Sequence, residues 1–310
     1  MQEIINLREW PIERVLDILL EDKTTKQNII LATDAYSDSG YHIDAKTQLT
    51  RGLLLGMDPH VIQPRVAKAA SEQAERTKSH AEVFTPSWLC NTMNNHLDEE
   101  WFGRKDVFNT ENKEDHSWVA TEGKIEFPDG KTWRDYIDSK RLEITCGEAP
   151  YIVSRYDTTT GEFIPIPQRI GLLDRKLRIV NEYTNAKRSW MEWAIKAFQS
   201  CYGYEWQGDS LLIARCNCIM TFVEYYMDRW SEQPSDPQLK KIADIIAWNL
   251  WQMDGLSGTI PLGAPIVENE QLGLDLFDDV KEDVERTEPC RIFDWKANES
   301  YTYNSIKEER

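Results

Sequence analysis

Arg141-Leu142-Glu143-Ile144-Thr145-Cys146-Gly147-Glu148-Ala149-Pro150 decides the fold. A strand over 141–145 ends at Cys146-Gly147, and Pro150 is suited to open a helix. An acidic residue at a strand end, a tight turn and a helix start together outline a nucleotide-type site in a Rossmann-like fold. There the ligand lies beyond the carboxyl end of the strand, near a helix N-terminus. A strand followed by an ordinary glycine turn has the same outline, so the rest of the chain must separate the two.

Downstream, helices are expected over 172–185 and 188–201. In the second, Trp190, Trp193, Ala194, Ala197, Phe198 and Cys201 share one face at the helical period. Tyr202–Gln207 reads as a second strand. Residues 209–230 form a long helix, apolar almost all round from 211 to 227, which predicts deep burial. A helix over 235–250 is capped by Ser235 or Asp236, with Pro237 in its first turn. Strands alternating with helices predict an α/β fold, Rossmann-like, with a mostly parallel sheet.

Upstream, residues 1–80 read as a mainly helical N-terminal extension. An amphipathic helix follows Pro11, IILATD over 29–34 reads as a strand, and 62–79 has helix-forming composition. The core spans 81–265. Residues 100–138 are polar and weakly periodic, an insertion whose hairpin turns on Pro128-Asp129-Gly130. From 267 to 310 there are 13 acids and 6 bases, so 266–310 is expected to be an acidic segment that docks on a partner.

Composition narrows the functional classes. The 310 residues include 12 Trp, 12 Tyr and 9 Phe, enough aromatic volume for a sizeable core. With 36 basic and 53 acidic residues the net charge is −17, which argues against a chain that grips nucleic-acid phosphates unaided. The longest stretch free of Asp, Glu, Lys and Arg, 83–97, is polar and too short to span a bilayer. MQEIINLREW carries acids and no apolar run, so a cytoplasmic location without a signal peptide is expected. The six cysteines contain no CxxC pair, and the five histidines no ligand spacing, so no metal site is expected.

Three further stretches extend the first. Tyr202-Gly203-Tyr204-Glu205-Trp206 places an acid at the end of a second strand, suited to accept from ribose hydroxyls or simply to sit in a solvated turn. Asn249 to Leu256 ends in Asp254-Gly255-Leu256. Asp254 is suited to accept from an exocyclic amine, and an Asp-Gly turn accounts for it equally. Phe84-Thr85-Pro86 reads as a helix opening with Thr85 as the cap and Pro86 in the first turn.

Together, over roughly 80–260, these four stretches resemble the gamma-class DNA adenine-N6 methyltransferases of restriction–modification systems. HAEVFTPSW and ITCGEAPY are similar to chains described as restriction endonuclease subunit M. The resemblance implies a Rossmann-like methyltransferase that binds S-adenosyl-L-methionine. Phe84, Thr85, Pro86, Glu143, Thr145, Cys146 and Gly147 would lie at the methionine end, Glu205 and Trp206 at the ribose, and Asp254, Gly255 and Leu256 at the adenine. Two departures stand out. Ala149 replaces the second glycine of the methionine-site motif, which suits a position with φ below zero. No Pro-Pro dipeptide occurs, so the (D/N/S)PP(Y/F/W) element that grips the flipped adenine is missing.

The resulting expectation is a split enzyme. This chain would bind cofactor and contain no catalytic residue. A second protein chain would carry the catalytic tetrapeptide and target recognition, and DNA would be met through the complex. Arg169, Arg175, Arg178, Lys187 and Arg188 mark a stretch expected near DNA, or equally a solvated helix face. A non-catalytic methyltransferase-like scaffold, or an acidic DNA mimic, would also fit the missing motif.

Overall fold

The computed structural model describes residues 3–37, 40–41, 43–59, 61–68, 85–263 and 288–308. The chain forms helices α1 (Ile12–Leu20), α2 (Arg51–Gly56) and α3 (Ser87–Phe102), then a hairpin of β1 (Asn109–Glu111) and β2 (Trp118–Ala120). Next come α4 (Trp133–Asp138), β3 (Arg141–Glu143), α5 (Leu172–Tyr183), α6 (Lys187–Gln199) and β4 (Cys201–Glu205). The order continues with α7 (Gly208–Trp230), α8 (Asp236–Asn249) and β5 (Leu250–Gln252). A second hairpin, β6 (Arg291–Asp294) and β7 (Glu299–Thr302), leads into α9 (Tyr303–Glu308).

The central sheet has the order β3-β4-β5 with all strands parallel. Leu142 lies opposite Tyr202, and Tyr204 opposite Trp251. Parallel neighbours need long crossovers, which α5–α6 and α7–α8 supply. The mixed α/β class with a parallel sheet is therefore observed, and the sheet is a small one flanked by two antiparallel hairpins.

One hydrophobic cluster joins the crossover helices. It includes Leu177 and Val180 of α5, Ala194 and Phe198 of α6, Ile213 and Phe222 of α7, and Ile242 of α8. Leu16 and Leu19 of α1 belong to the same cluster, so this first helix is part of the core. Arg215, fully buried on α7, fixes that junction. Its guanidinium donates to the carbonyls of Leu19 and Glu21 at the end of α1, and of Ala247 and Leu250 at the end of α8. A cation there satisfies carbonyls that helix ends leave open.

Several expectations are corrected. The described part of 3–68 contributes only α1, α2 and one 3₁₀ turn at Arg65–Ala67, so it is not mainly helical; 69–80 lie outside the described residues. In the run 29–34, Ile29 and Leu31 to Thr33 are buried and Asp34 is exposed; among the described residues it makes one isolated antiparallel bridge, Ile30 to Gln48, and joins no sheet. Leu31 N–H donates to the Thr47 carbonyl, and Ile30 pairs its backbone with the Gln252 side-chain amide. Within 100–138 the hairpin is β1–β2. Pro128–Gly130 is a turn leading to α4, which Thr132 and Asp135 start with a capping box.

The C-terminal residues are also placed differently. Residues 288–308 cover the chain's own sheet: Cys290 is buried with Tyr202, Tyr204, Trp251 and Met253, with Ile292, Trp295 and Tyr303 packed against them. Residues 264–287 lie outside the described residues. Among the described residues, no helix is long and apolar enough to cross a membrane.

Candidate functional site

The chain leaves β3 through a loop with three left-handed residues: Thr145 (φ +45°), Gly147 (+53°) and Ala149 (+64°). That conformation costs an L-residue about 1–2 kcal/mol. Ala149 is fully buried and left-handed, so the expectation of φ below zero there is wrong. Specific hydrogen bonds hold the loop. Cys146 N–H donates to the Tyr204 carbonyl at 2.8 Å, and Ala149 N–H to the Cys146 carbonyl at 2.7 Å. Strain persists where surrounding bonds over-determine the backbone, and such loops cluster at ligand sites.

Two carboxylates brace the loop from the ends of adjacent strands. Glu205 accepts from Gly147 N–H at 2.8 Å and Gln207 N–H at 3.1 Å. Glu143 accepts from Tyr151 N–H at 3.3 Å and Ile152 N–H at 3.1 Å. Burial pushes the Glu143 carboxyl well above its ordinary range, opposed by those two N–H groups and reinforced by the charge of Glu205. Burial also raises Glu205, against N–H bonds from Gly147, Gln207 and Trp206. Each oxygen keeps a lone pair for a further donor.

These groups meet in a cleft of about 800 Å³, within the usual range for small-molecule sites. Of the residues expected at the site, Thr85, Glu143, Thr145, Cys146, Gly147, Glu205 and Trp206 line it. Glu148 adds a third acid, and no Lys or Arg is among the described lining residues. Cys146 contributes backbone. Its side chain is buried, and burial holds the thiol well above its ordinary range, so it stays neutral. Trp206 is anchored by Nε1–H donating to the Ala32 carbonyl at 2.9 Å.

Other expected residues are elsewhere. Asp254 does not line the cleft: its carboxylate accepts from Leu256 N–H and Ser257 Oγ–H within its own turn. Gly255 packs against the Tyr204 ring, and Leu256 is 94 % exposed. The turn chemistry of Asp-Gly thus accounts for this stretch. Pro86 is the N-cap of α3, and Thr85 precedes it rather than capping. Ser87 N–H is capped from a distance by Asp157, at 2.8 Å. Phe84 lies outside the described residues.

The basic stretch is not a DNA-facing stripe. Arg175 is buried and bonds Asp98, Asn91 and Asn95. Arg169 pairs with Glu224, and Arg178 pairs with Glu182 while donating to the carbonyls of Phe108 and Thr121. Lys187 and Arg188 reach the surface, paired with Glu232 and Glu192. Buried guanidinium groups find partners because leaving them unpaired is costly.

Asn94, Tyr151, Gln207 and Ser210 line the cleft without having been singled out in the sequence. Asn94 Nδ2 donates to the carbonyls of Tyr151 and Ile170, both at 3.0 Å, fixing α3 against the loop. A signal existed. Asn91, Asn94 and Asp98 recur at helical spacing and form a buried face that is polar, so hydrophobic periodicity passes over it. Among the described residues, no three His, Cys, Asp or Glu side chains are grouped to hold a metal ion. No protein-family model, curated protein or solved structure matches this chain.

Proposed function

We propose that this chain is the S-adenosyl-L-methionine-binding subunit of a split DNA adenine-N6 methyltransferase. The observation that carries the reading is the acidic cleft at the carboxyl ends of β3 and β4. A phosphate-bearing nucleotide needs N–H groups or cations; here the Gly147 N–H is taken by Glu205, and the described lining holds three acids, Glu143, Glu148 and Glu205, with His96 and no Lys or Arg. A ligand with cationic groups and ribose hydroxyls suits that donor set. Such a cofactor supplies a methyl group already activated on a sulfonium.

The residues of this chain bind and position. Glu205 faces the cleft with lone pairs for hydroxyl donors, while its bond from Gly147 N–H braces the 145–149 loop. Glu143 fixes the loop's far end through Tyr151 and Ile152. The methyl-accepting site and target recognition are assigned to a partner chain, because the Pro-Pro tetrapeptide is missing from this sequence. A non-catalytic scaffold is the second reading, favoured by the placement of Asp254 outside the cleft.

Calorimetric titration of the 310-residue chain tests the first reading. Saturable binding of S-adenosyl-L-methionine is expected, with ATP silent at the same concentration. Glu205→Ala should weaken binding at least about tenfold, the loss expected for a charge-assisted hydrogen bond of about 1.5–3 kcal/mol. A folded chain that binds neither ligand points to the scaffold, and one that prefers ATP refutes the electrostatic argument.

A further inference from the structure

From its open edge we infer that β3 accepts a parallel strand from a basic partner chain, which completes the sheet beside the cleft. Among the described residues, β3 is the terminal strand of the central sheet. In its ladder Arg141 N–H donates to the Ser200 carbonyl, so Arg141 and Glu143 turn their backbone groups toward β4. The backbone of Leu142 therefore faces outward, because alternate residues of a parallel strand serve opposite neighbours.

The side chains agree. Leu142 and Tyr202 share a face, and the C-terminal hairpin covers that face over Tyr202, Tyr204 and Trp251. Among the described residues, the cover stops at β4. Leu142 is 47 % exposed and Ile144 63 %, and both also line the cleft. Across the outer rim of the cleft, Met93 (50 %) and Leu97 (37 %) of α3 are bare as well. An apolar layer that continues an internal packing face and borders an open strand edge is a site for strand addition.

Charge selects the occupant. Pairing with a second copy would bring two chains of net −17 together, whereas a basic partner is attracted. Direction follows from the cleft. In open parallel sheets, ligands sit where connections diverge to either side, at the carboxyl ends of the strands. A parallel strand outside β3 puts the cleft at such a point. That the partner also carries the catalytic tetrapeptide rests on the methyltransferase reading; the docking edge does not.

All six cysteines are buried, so Leu142→Cys presents a single accessible thiol among the described residues. The full-length variant, labelled with a maleimide benzophenone, would be illuminated in extract of the source cell, with Val119→Cys as control on the exposed β2. The captured chain would then be produced pure. The expected result is one basic chain captured at 142 and not at 119. Its affinity should fall at least about tenfold for Leu97→Lys and Leu142→Lys, while circular dichroism shows both variants folded. Capture of a second copy, of this chain's own residues, or of nothing overturns the proposal, as does affinity unchanged in both variants. Because Leu97 and Leu142 also line the cleft, titration of the unsubstituted chain with S-adenosyl-L-methionine separates the readings: docking without cofactor binding removes only the methyltransferase reading.

Discussion

Glu143 and Glu205 are held by backbone N–H groups yet pushed upward chiefly by burial, Glu143 the further. A carboxyl raised in the folded state adds stability that is complete below its unfolded value. That stability is lost as pH rises through the raised value. Other carboxylates act oppositely: Asp157 is lowered to about 2, chiefly by bonds from Thr159 and Ser87 working against burial. Its contribution disappears only in strong acid. Glu143→Gln isolates the first effect. Relative to wild type, the variant should gain stability as pH rises above the ordinary carboxyl range, measured by urea denaturation. A difference independent of pH would show that Glu143 is ionised throughout. The same burial means that a cationic ligand should bind more tightly as pH rises and displace protons on binding.

At the scale of elements, α3 and α5 are joined by polar groups where a hydrophobic pattern leads one to expect apolar contact. Asp98 and Arg175 are each 1 % exposed, and Tyr136 of α4 donates to the same Asp98 carboxylate at 2.9 Å. Removing one partner leaves the other charge buried and unpaired. Arg175→Ala should therefore cost about 3–5 kcal/mol in denaturant titration. Arg188, 92 % exposed on α6, should cost less than about 0.5 kcal/mol in the same substitution. Equal effects would mean that the Arg175 network contributes nothing beyond a surface pair. The start of α7 shows a different constraint. A Cβ on Gly208 would lie 1.9 Å from the Ile30 carbonyl oxygen, so only glycine lets the N-terminal segment cross there. The Gly208 N–H donates to the Leu31 carbonyl at 2.9 Å, which ties the 29–34 run to a helix start rather than to a sheet edge.

For the whole molecule, charge and burial agree on how DNA would be met. The net charge is −17, and Arg169, Arg175 and Arg178 are committed to internal partners. The chain alone should show no duplex binding at physiological salt below about 10 μM, where non-specific binders of basic character register. Fluorescence anisotropy with a labelled duplex checks this. Binding tighter than that, with a steep salt slope, would move DNA contact onto this chain. Among the described residues, the sheet's helical face is filled by one core and its second face is covered only as far as β4.

The pattern of the sequence alone determined the strands β3 and β4 and the helices α5 to α8, because periodicity and capping are local properties; it did not show β5 or the loop that follows Pro150. It also located the acidic strand ends, Glu143 and Glu205, together with the glycine turn that separates β3 from the rest of the cleft. Tertiary structure decided the remainder. It sent the arginines inward to meet a polar face of α3, and it folded the C-terminal hairpin back over Tyr202 and Trp251. It also kept Asp254 in its own turn and opened the cleft between α3 and the 145–149 loop. The hairpin follows from apolar packing that no local pattern specifies; for the polar groups the reason is different. A charged or polar side chain has the same local signature whether it faces water or a buried partner, and only the folded chain supplies the partner.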